Sequence, residues 1–334
     1  MKLLRKILFP FNALYYVVVF LRNTCYDLGI FKSKSYTIPI ICVGNLSVGG
    51  TGKTPMIEVL IQMLQKDYKV AVLSRGYGRQ SKGFVLADQE STAKILGDEP
   101  FQIVQKFPNI TVAVDASRQR GIEQLQNLDP TPEVILLDDA FQHRKVRAGL
   151  SIVLTAYDNL FCDDVVLPAG NLREPRSGVK RAQVVIVTKS PKKLTTIEKE
   201  TIGQRLALHP HQKLFFSSIV YADEIVSKTT SILLKELKHQ KFTLVTGIAN
   251  PKPLLVHLER LGLNFEHLEF SDHHEFSEKE LSHINSKSVV LTTEKDFSRL
   301  QALDHKALYY LPITTQIDDT SAIEKTIKRF VEIF

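Results

Sequence analysis

The feature that most narrows the folds open to this chain is "CVGNLSVGGTGKTP", residues 42 to 55, which directly follows the apolar run "TIPII". A buried-type strand that enters a glycine-rich turn and then Lys-Thr presents backbone N–H groups at the start of a helix. The amides around Gly49, Gly50 and Gly52 can form an anion nest there, and the helix dipole adds to its preference for negative charge. The stretch departs from the pattern G-x-x-x-x-G-K-[ST], because Ser47 stands where the first glycine belongs. The expectation is that Ser47 serves if the backbone there needs no positive φ. Ser47, Val48, Gly49, Gly50, Thr51, Gly52, Lys53 and Thr54 then cradle nucleotide phosphates, with Lys53 reaching the outer phosphates and Thr54 ligating Mg²⁺.

Further β-branched, apolar runs at 69–73, 110–114, 133–137, 150–155 and 183–188 alternate with helical or loop segments. That alternation predicts a P-loop NTPase-like α/β core: a mostly parallel sheet with flanking helices over residues 37–215. The texture changes after about 213. Residues 216–240 read as a connector, with "KLFFSSIVYADEIV" as extended chain, and 241–334 as a smaller C-terminal α/β domain that includes a last helix at 320–333. The 334 residues, 44% of them apolar, suffice for two cores. Three scattered cysteines without C-x-x-C spacing argue against disulfides and structural zinc, and fit a reducing cytoplasm.

The net charge of +7 is concentrated in residues 1–36, where six Lys and Arg side chains face the single acid Asp27. Between these cations lies "ILFPFNALYYVVVFL", too short to cross a bilayer, which takes about 20 apolar residues. We expect a helix lying on a membrane surface, with tyrosines at headgroup level and cations toward anionic lipid. The competing readings are a signal peptide, which the bulky, polar "RNTCYDLG" after the apolar run disfavours, and a helix packed on the protein's own core. The near-balanced charge elsewhere, without a basic stripe interleaved with aromatics, gives no support to a nucleic-acid role.

Acids that hold a metal beside such a loop usually follow a second buried strand, and "EVILLDDAFQHR" supplies Asp138 and Asp139. Turn formation or capping is the alternative reading for such a pair. "LSRGYGRQ" puts Arg75, Tyr77 and Arg79 on a glycine-flexed loop, where guanidinium forks suit phosphate oxygens. "LGDEPFQI" reads as a helix cap with Pro100 at the first helical position after Asp98 and Glu99. "FSDHHEF" offers Asp272, His273 and His274, either a metal site or a solvated turn, and "EKD" at 294–296 can simply cap a helix.

In order along the chain, "LYYVVVFLRNTCYDLGIF", "VGNLSVGGTGKTP", "LSRGYGR", "GDEP", "DDAFQHR", "LPAGNLREP", "VTGIANP", "SDHHEF" and "LTTEKD" together closely resemble one family, the membrane-associated tetraacyldisaccharide 4'-kinases (lipid A 4'-kinases) of Gram-negative bacteria. Ala140, where the family more often has glycine, and Ala148-Gly149 depart from its pattern. The resemblance implies γ-phosphate transfer from ATP, with Mg²⁺, to the 4'-hydroxyl of a lipid-linked glucosamine disaccharide 1-phosphate. It places the chain at the cytoplasmic face of the bacterial inner membrane with no obligate protein partner. It assigns Asp98 and His273 as a catalytic pair, one from each domain, with Lys53 on the phosphates; a pair so divided predicts closure that assembles the site. Thr54, Asp138 and Asp139 would bind the metal, and Arg75, Tyr77, Glu99, Arg118 and Arg173 would contact substrate. Rival readings are a membrane-attached deviant Walker A switch ATPase, which would carry a second lysine where this chain has Val48, and an ATP-dependent ligase.

Overall fold

The computed structural model describes residues 9–272, 274–300, 303 and 305–334. The chain divides into two compact units, one running through Ile219 and resuming at Thr315–Phe334, the other spanning Val220–Thr314.

In the first unit, helix α1 (Phe9–Asp27) precedes strand β1 (Ile40–Asn45), helix α2 (Lys53–Leu64) and strands β2 (Val70–Ser74) and β3 (Val85–Leu86). After a short helix α3 (Ala93–Leu96) come α4 (Asp98–Lys106), β4 (Thr111–Val114), α5 (Arg118–Gln126), β5 (Val134–Asp138), β6 (Leu150–Ala156), β7 (Val184–Thr188), α6 (Thr196–Leu206) and β8 (Lys213–Tyr221). These strands lie in the order β8-β7-β6-β1-β5-β2-β4-β3, parallel except for β3, which runs antiparallel to β4. The predicted runs are thus the strands of one sheet, displaced by a few residues at their ends.

Each central strand is buried on both faces, and the period-two alternation of its side chains feeds two apolar layers. Ile40, Cys42, Ala71, Leu73, Ile135 and Leu137 enter one layer. Ile41, Val43, Val70, Val72, Val134 and Leu136 enter the other, where α2 adds Met56, Ile57, Leu60, Ile61 and Leu64. The loops after β1, β2 and β5 all leave the same carboxyl edge of this parallel sheet.

The second unit carries β9 (Glu224–Val226), β10 (Ser231–Leu233), β11 (Phe242–Thr246), α7 (Lys252–Arg260), β12 (Phe265–Glu269), α8 (Glu278–Asn285), β13 (Val290–Thr293), α9 (Glu294–Leu300) and β14 (Leu308–Leu311), with sheet order β10-β9-β14-β13-β11-β12. β15 (Ile313–Ile317) then joins the first sheet beside β8, and α10 (Thr320–Ile333) follows.

Two expectations are corrected here. The stretch 216–240, expected as a connector, is organised into the end of β8, the strands β9 and β10 and a 3₁₀ turn at Leu234–His239. The last helix, expected in the smaller domain, belongs to the first unit. Its apolar stripe Ile323, Ile327 and Val331, spaced at i, i+4, i+8, fills the layer that α2 also covers.

Candidate active site

Strand β1 delivers the glycine-rich loop, and the loop explains why its first glycine is dispensable. Ser47 forms an antiparallel bridge with Leu172, the Val48 N–H donates to the Asn171 carbonyl at 2.7 Å, and the Arg173 N–H donates to the Leu46 carbonyl at 2.7 Å. Residues 46–48 therefore run extended against 171–173, a conformation open to any side chain. The left-handed turns come later, at Gly49 (φ 102°) and Gly52 (φ 84°), where a Cβ would be strained. The loop is closed by Asn45 Nδ2 donating to Thr51 Oγ1 at 2.8 Å, and α2 begins at Lys53 with Gly52 as its cap.

Strand β5 lies beside β1 with Asp138 in register with Val43, so the acid pair emerges next to the loop. Asp138 is 2% exposed. Its Oδ2 accepts from Ser74 Oγ at 2.9 Å, and its Oδ1 has no hydrogen-bond partner among the described residues. Burial pushes the Asp138 carboxyl up to about 7, the carboxylates of Glu99 and Asp139 add to the rise, and Lys53 and the Ser74 hydroxyl oppose it. Asp139 has a left-handed backbone (φ 47°), the kind of strain that collects at functional sites. Its carboxylate sits between two cations, 2.8 Å from Arg173 Nη1 and 3.7 Å from Lys53 Nζ.

These residues suit a magnesium–nucleotide complex. Mg²⁺ is usually held by one or two carboxylates plus substrate phosphates. The unsatisfied Oδ1 of Asp138, with Asp139 and the half-buried Thr54 nearby in the fold, offers such oxygens. Among the described residues no three His, Cys, Asp or Glu side chains form a metal cage of their own.

Other expected positions fall as follows. Arg75 and Tyr77 are exposed on the loop after β2, Tyr77 by 76%. Arg79, expected to offer its fork to phosphate, instead braces that loop, donating to the carbonyls of Gly83 at 2.6 Å and Val114 at 3.3 Å. Arg118 is also corrected: it is buried, and its guanidinium donates to the main-chain carbonyls of Asp115 and Asp138 (2.9 Å for the latter) instead of facing a substrate. It thereby fixes the end of β5. Asp98 is not the helix cap, since α4 starts at Asp98 with Gly97 in the capping position and no side-chain cap bond. Gly97 is needed there, because a Cβ would come within 2.9 Å of the Tyr77 carbonyl. Glu99, half-buried beside it, contributes its field to Asp138.

Sequence reasoning missed Glu174, a buried carboxylate in "LPAGNLREP". It accepts from Arg181 Nη2 at 2.8 and 2.9 Å, from Gln142 Nε2 at 2.8 Å and from Asn23 Nδ2 of α1 at 3.0 Å. Gln142 also donates to the Asn45 carbonyl at 2.7 Å, so one hub ties the helix, the acid turn and the loop strand together. His143 next to it is pushed down to about 4, first by burial and then by Arg118, Lys145, Arg22 and Arg75. The ring is neutral at pH 7 and marks an electropositive neighbourhood. A Glu flanked by Arg and Pro was the signal available in the sequence, but it does not say which way the carboxylate points.

In the second unit, His273 lies outside the described residues. His274 is engaged structurally, with Nε2 3.1 Å from Glu280 Oε2 and its ring against Phe270 and Phe276. Asp296 of "EKD" accepts from the Gly247 N–H at 2.8 Å and from Thr293 Oγ1 at 2.7 Å, joining α9 to the end of β11.

Known proteins share this sequence and fold. A family model described as tetraacyldisaccharide-1-P 4'-kinase matches residues 4–332. The chain is 51% identical to the tetraacyldisaccharide 4'-kinase of Flavobacterium johnsoniae, over 99% of this chain and 98% of that protein. It is 47% identical to that of Bacteroides thetaiotaomicron, over 94% and 89% respectively. Among solved structures, LpxK from Aquifex aeolicus in complex with ATP superposes with a TM-score of 0.78 at 31% identity, over 98% of this chain and 99% of that one. On sequence, fold and loop chemistry together, the chain belongs to the tetraacyldisaccharide 4'-kinase family.

Proposed function

We propose that this protein transfers the γ-phosphoryl group of ATP to the 4'-hydroxyl of tetraacyldisaccharide 1-phosphate. The observation that carries the reading is the pairing of a Gly-Lys-Thr loop with a buried carboxylate, Asp138, that keeps one oxygen unsatisfied on the neighbouring strand. Phosphoryl transfer asks mainly for positioning and charge neutralisation. The amides of residues 49–54 and Lys53 hold the triphosphate, and Asp139 and Arg173 fix the direction of Lys53. Asp138, Asp139 and Thr54 hold Mg²⁺, which when bound neutralises charge on the phosphoryl oxygens. Asp98, at the head of α4, and His273 keep the acid–base roles that the family resemblance gives them. Arg75, exposed on the loop after β2, suits the acceptor's 1-phosphate. Labelled phosphate should move from γ-labelled ATP to the tetraacyl disaccharide. Label released only as inorganic phosphate would favour a switch ATPase instead. His273→Ala at wild-type turnover would remove that residue from the mechanism.

The N-terminal helix supports work at the cytoplasmic surface of the inner membrane. Its stripe Asn12, Tyr15, Arg22 and Asn23 is spent on the core: Asn12 donates to the Val166 carbonyl, Tyr15 to the Arg173 carbonyl at 2.9 Å and Arg22 to the Gln142 carbonyl at 2.9 Å. The other face exposes Phe11, Leu14, Val17, Val18 and Leu21, with Leu14 at 64% and Leu21 at 55%. Packing on the core and contact with lipid are therefore compatible, one face for each. No described helix is long and apolar enough to cross a membrane. Complete burial of such a side chain gives roughly 1.5 to 3 kcal/mol, so several half-exposed ones suffice for peripheral attachment. Leu14→Asp with Leu21→Asp should abolish sedimentation with anionic vesicles and spare ATP binding. Unchanged sedimentation would refute the membrane face.

A further inference from the structure

The residue that ends β7's exit turn is Lys189, which holds a left-handed backbone (φ 57°) although it carries a side chain. It is exposed, and its Nζ donates to the carbonyl of Gly50 in the phosphate loop at 2.5 Å. Thr188, just before it, is buried and donates Oγ1 to the carbonyl of Thr51 at 2.8 Å. Two consecutive residues at the carboxyl end of β7 thus hold two consecutive carbonyls of the loop.

The hydroxyl of Thr188 suffices as a brace, being short, buried and already ordered. A lysine is a poor brace, because ordering its long stem forfeits rotamer freedom and the bond it makes is open to water. A position that favours glycine or asparagine is nevertheless filled by a cation. The ammonium lies 3.8 Å from where a Cβ on Gly50 would stand, beside the phosphate loop. The loop's own cation, Lys53, is already shared with Asp139 at 3.7 Å. Val48 occupies the place where switch ATPases of similar loop sequence carry their second lysine.

We propose that Lys189 is the second phosphate-binding cation of this loop, supplied from the end of β7 in the same chain. On nucleotide binding its ammonium exchanges the Gly50 carbonyl for oxygens of the terminal phosphates. The proposal rests on the nucleotide-binding part of the functional reading and is independent of the acceptor's identity.

Calorimetric titration of wild type, Lys189→Gly and Lys189→Arg with magnesium tripolyphosphate and with Mg·ATP tests it. Glycine at this φ relieves the backbone, so the thermal midpoint of Lys189→Gly should be unchanged or higher. Both ligands should nevertheless bind about tenfold or more weakly, the weight of one charge-assisted contact. Arginine should restore binding to within a few-fold. In turnover, KM for ATP should rise while KM for the lipid acceptor stays constant. Wild-type affinity of Lys189→Gly for tripolyphosphate would overturn the proposal, and loss confined to ATP would do the same by pointing to a contact with the base. If wild-type protein failed to phosphorylate the acceptor, the kinase reading would fall and the tripolyphosphate comparison would still decide the role of Lys189.

Discussion

Asp138 in the first unit and Asp296 in the second are both buried carboxylates beside a strand end, 2% and 0% exposed, and each has an Oδ1 without a hydrogen-bond partner among the described residues. Their surroundings differ in sign. Asp296 is met by donors: the Gly247 N–H, the Thr293 hydroxyl and, 3.7 Å from its Oδ1, the Arg299 guanidinium. Asp138 has one hydroxyl donor, and its charge is disfavoured first by burial and then by Glu99 and Asp139, with Lys53 offsetting only part of the rise. Burial with an unsatisfied oxygen is thus insufficient to mark a metal site. The field around the carboxylate separates the structural clamp at Asp296 from the metal role proposed for Asp138.

The sharpest way to break this contrast is to neutralise each acid. Asp138→Asn should lower kcat/KM for phosphate transfer by about 100-fold or more, the usual weight of a preorganised electrostatic group, and leave the thermal midpoint unchanged or higher. Asp296→Ala should act in the opposite way, costing about 3 kcal/mol of stability because the Gly247 N–H and the Thr293 hydroxyl lose their buried acceptor. Denaturant melts together with steady-state kinetics on the two variants read both effects, and a strongly destabilised Asp138→Asn would erase the distinction.

A smaller difference lies in pH. The Asp138 carboxyl is raised from 3.8 to about 7, so the folded protein holds a proton that the unfolded chain has released. Stability of the ligand-free first unit should therefore fall as pH rises from about 4 to about 7 and then level off, while Mg·ATP binding strengthens over the same interval. In the second unit, Glu280 accepts from Ser277 and His274 and is lowered from 4.5 to about 2. Its contribution is present above pH 4.5 and should be lost as pH falls from about 4.5 to about 2. Melting curves of wild type, Asp138→Asn and Glu280→Gln across pH 3 to 8 check both signs. The smallest effect expected is that of Ser47→Gly, less than about twofold on KM for ATP, because Ser47 is extended against Leu172 and uses no glycine freedom.

Much of the candidate site could be read from the chain because its parts are local. A strand, a glycine turn and Lys-Thr are contiguous, and Asp138 directly ends a run of four apolar residues. What escaped depends on direction and distance. Nothing in "SRQR" says that Arg118 turns inward to the Asp138 carbonyl, or that Arg79 folds back on its own loop. The return of α10 to the first unit was hidden because its apolar stripe fits any open sheet face equally well. Glu174 and Lys189 act on residues more than a hundred positions away, at Asn23 and Gly50, and their letters alone suggest surface charges.

Asp138, as proposed, is the carboxylate that receives the metal of a bound nucleotide. Calorimetry of ATP binding with and without Mg²⁺, on wild type and Asp138→Asn, addresses this directly. Wild type should bind at least about tenfold more tightly with Mg²⁺ present, and the variant should lose that enhancement while binding metal-free ATP as before. Equal enhancement by Mg²⁺ in both proteins would contradict it.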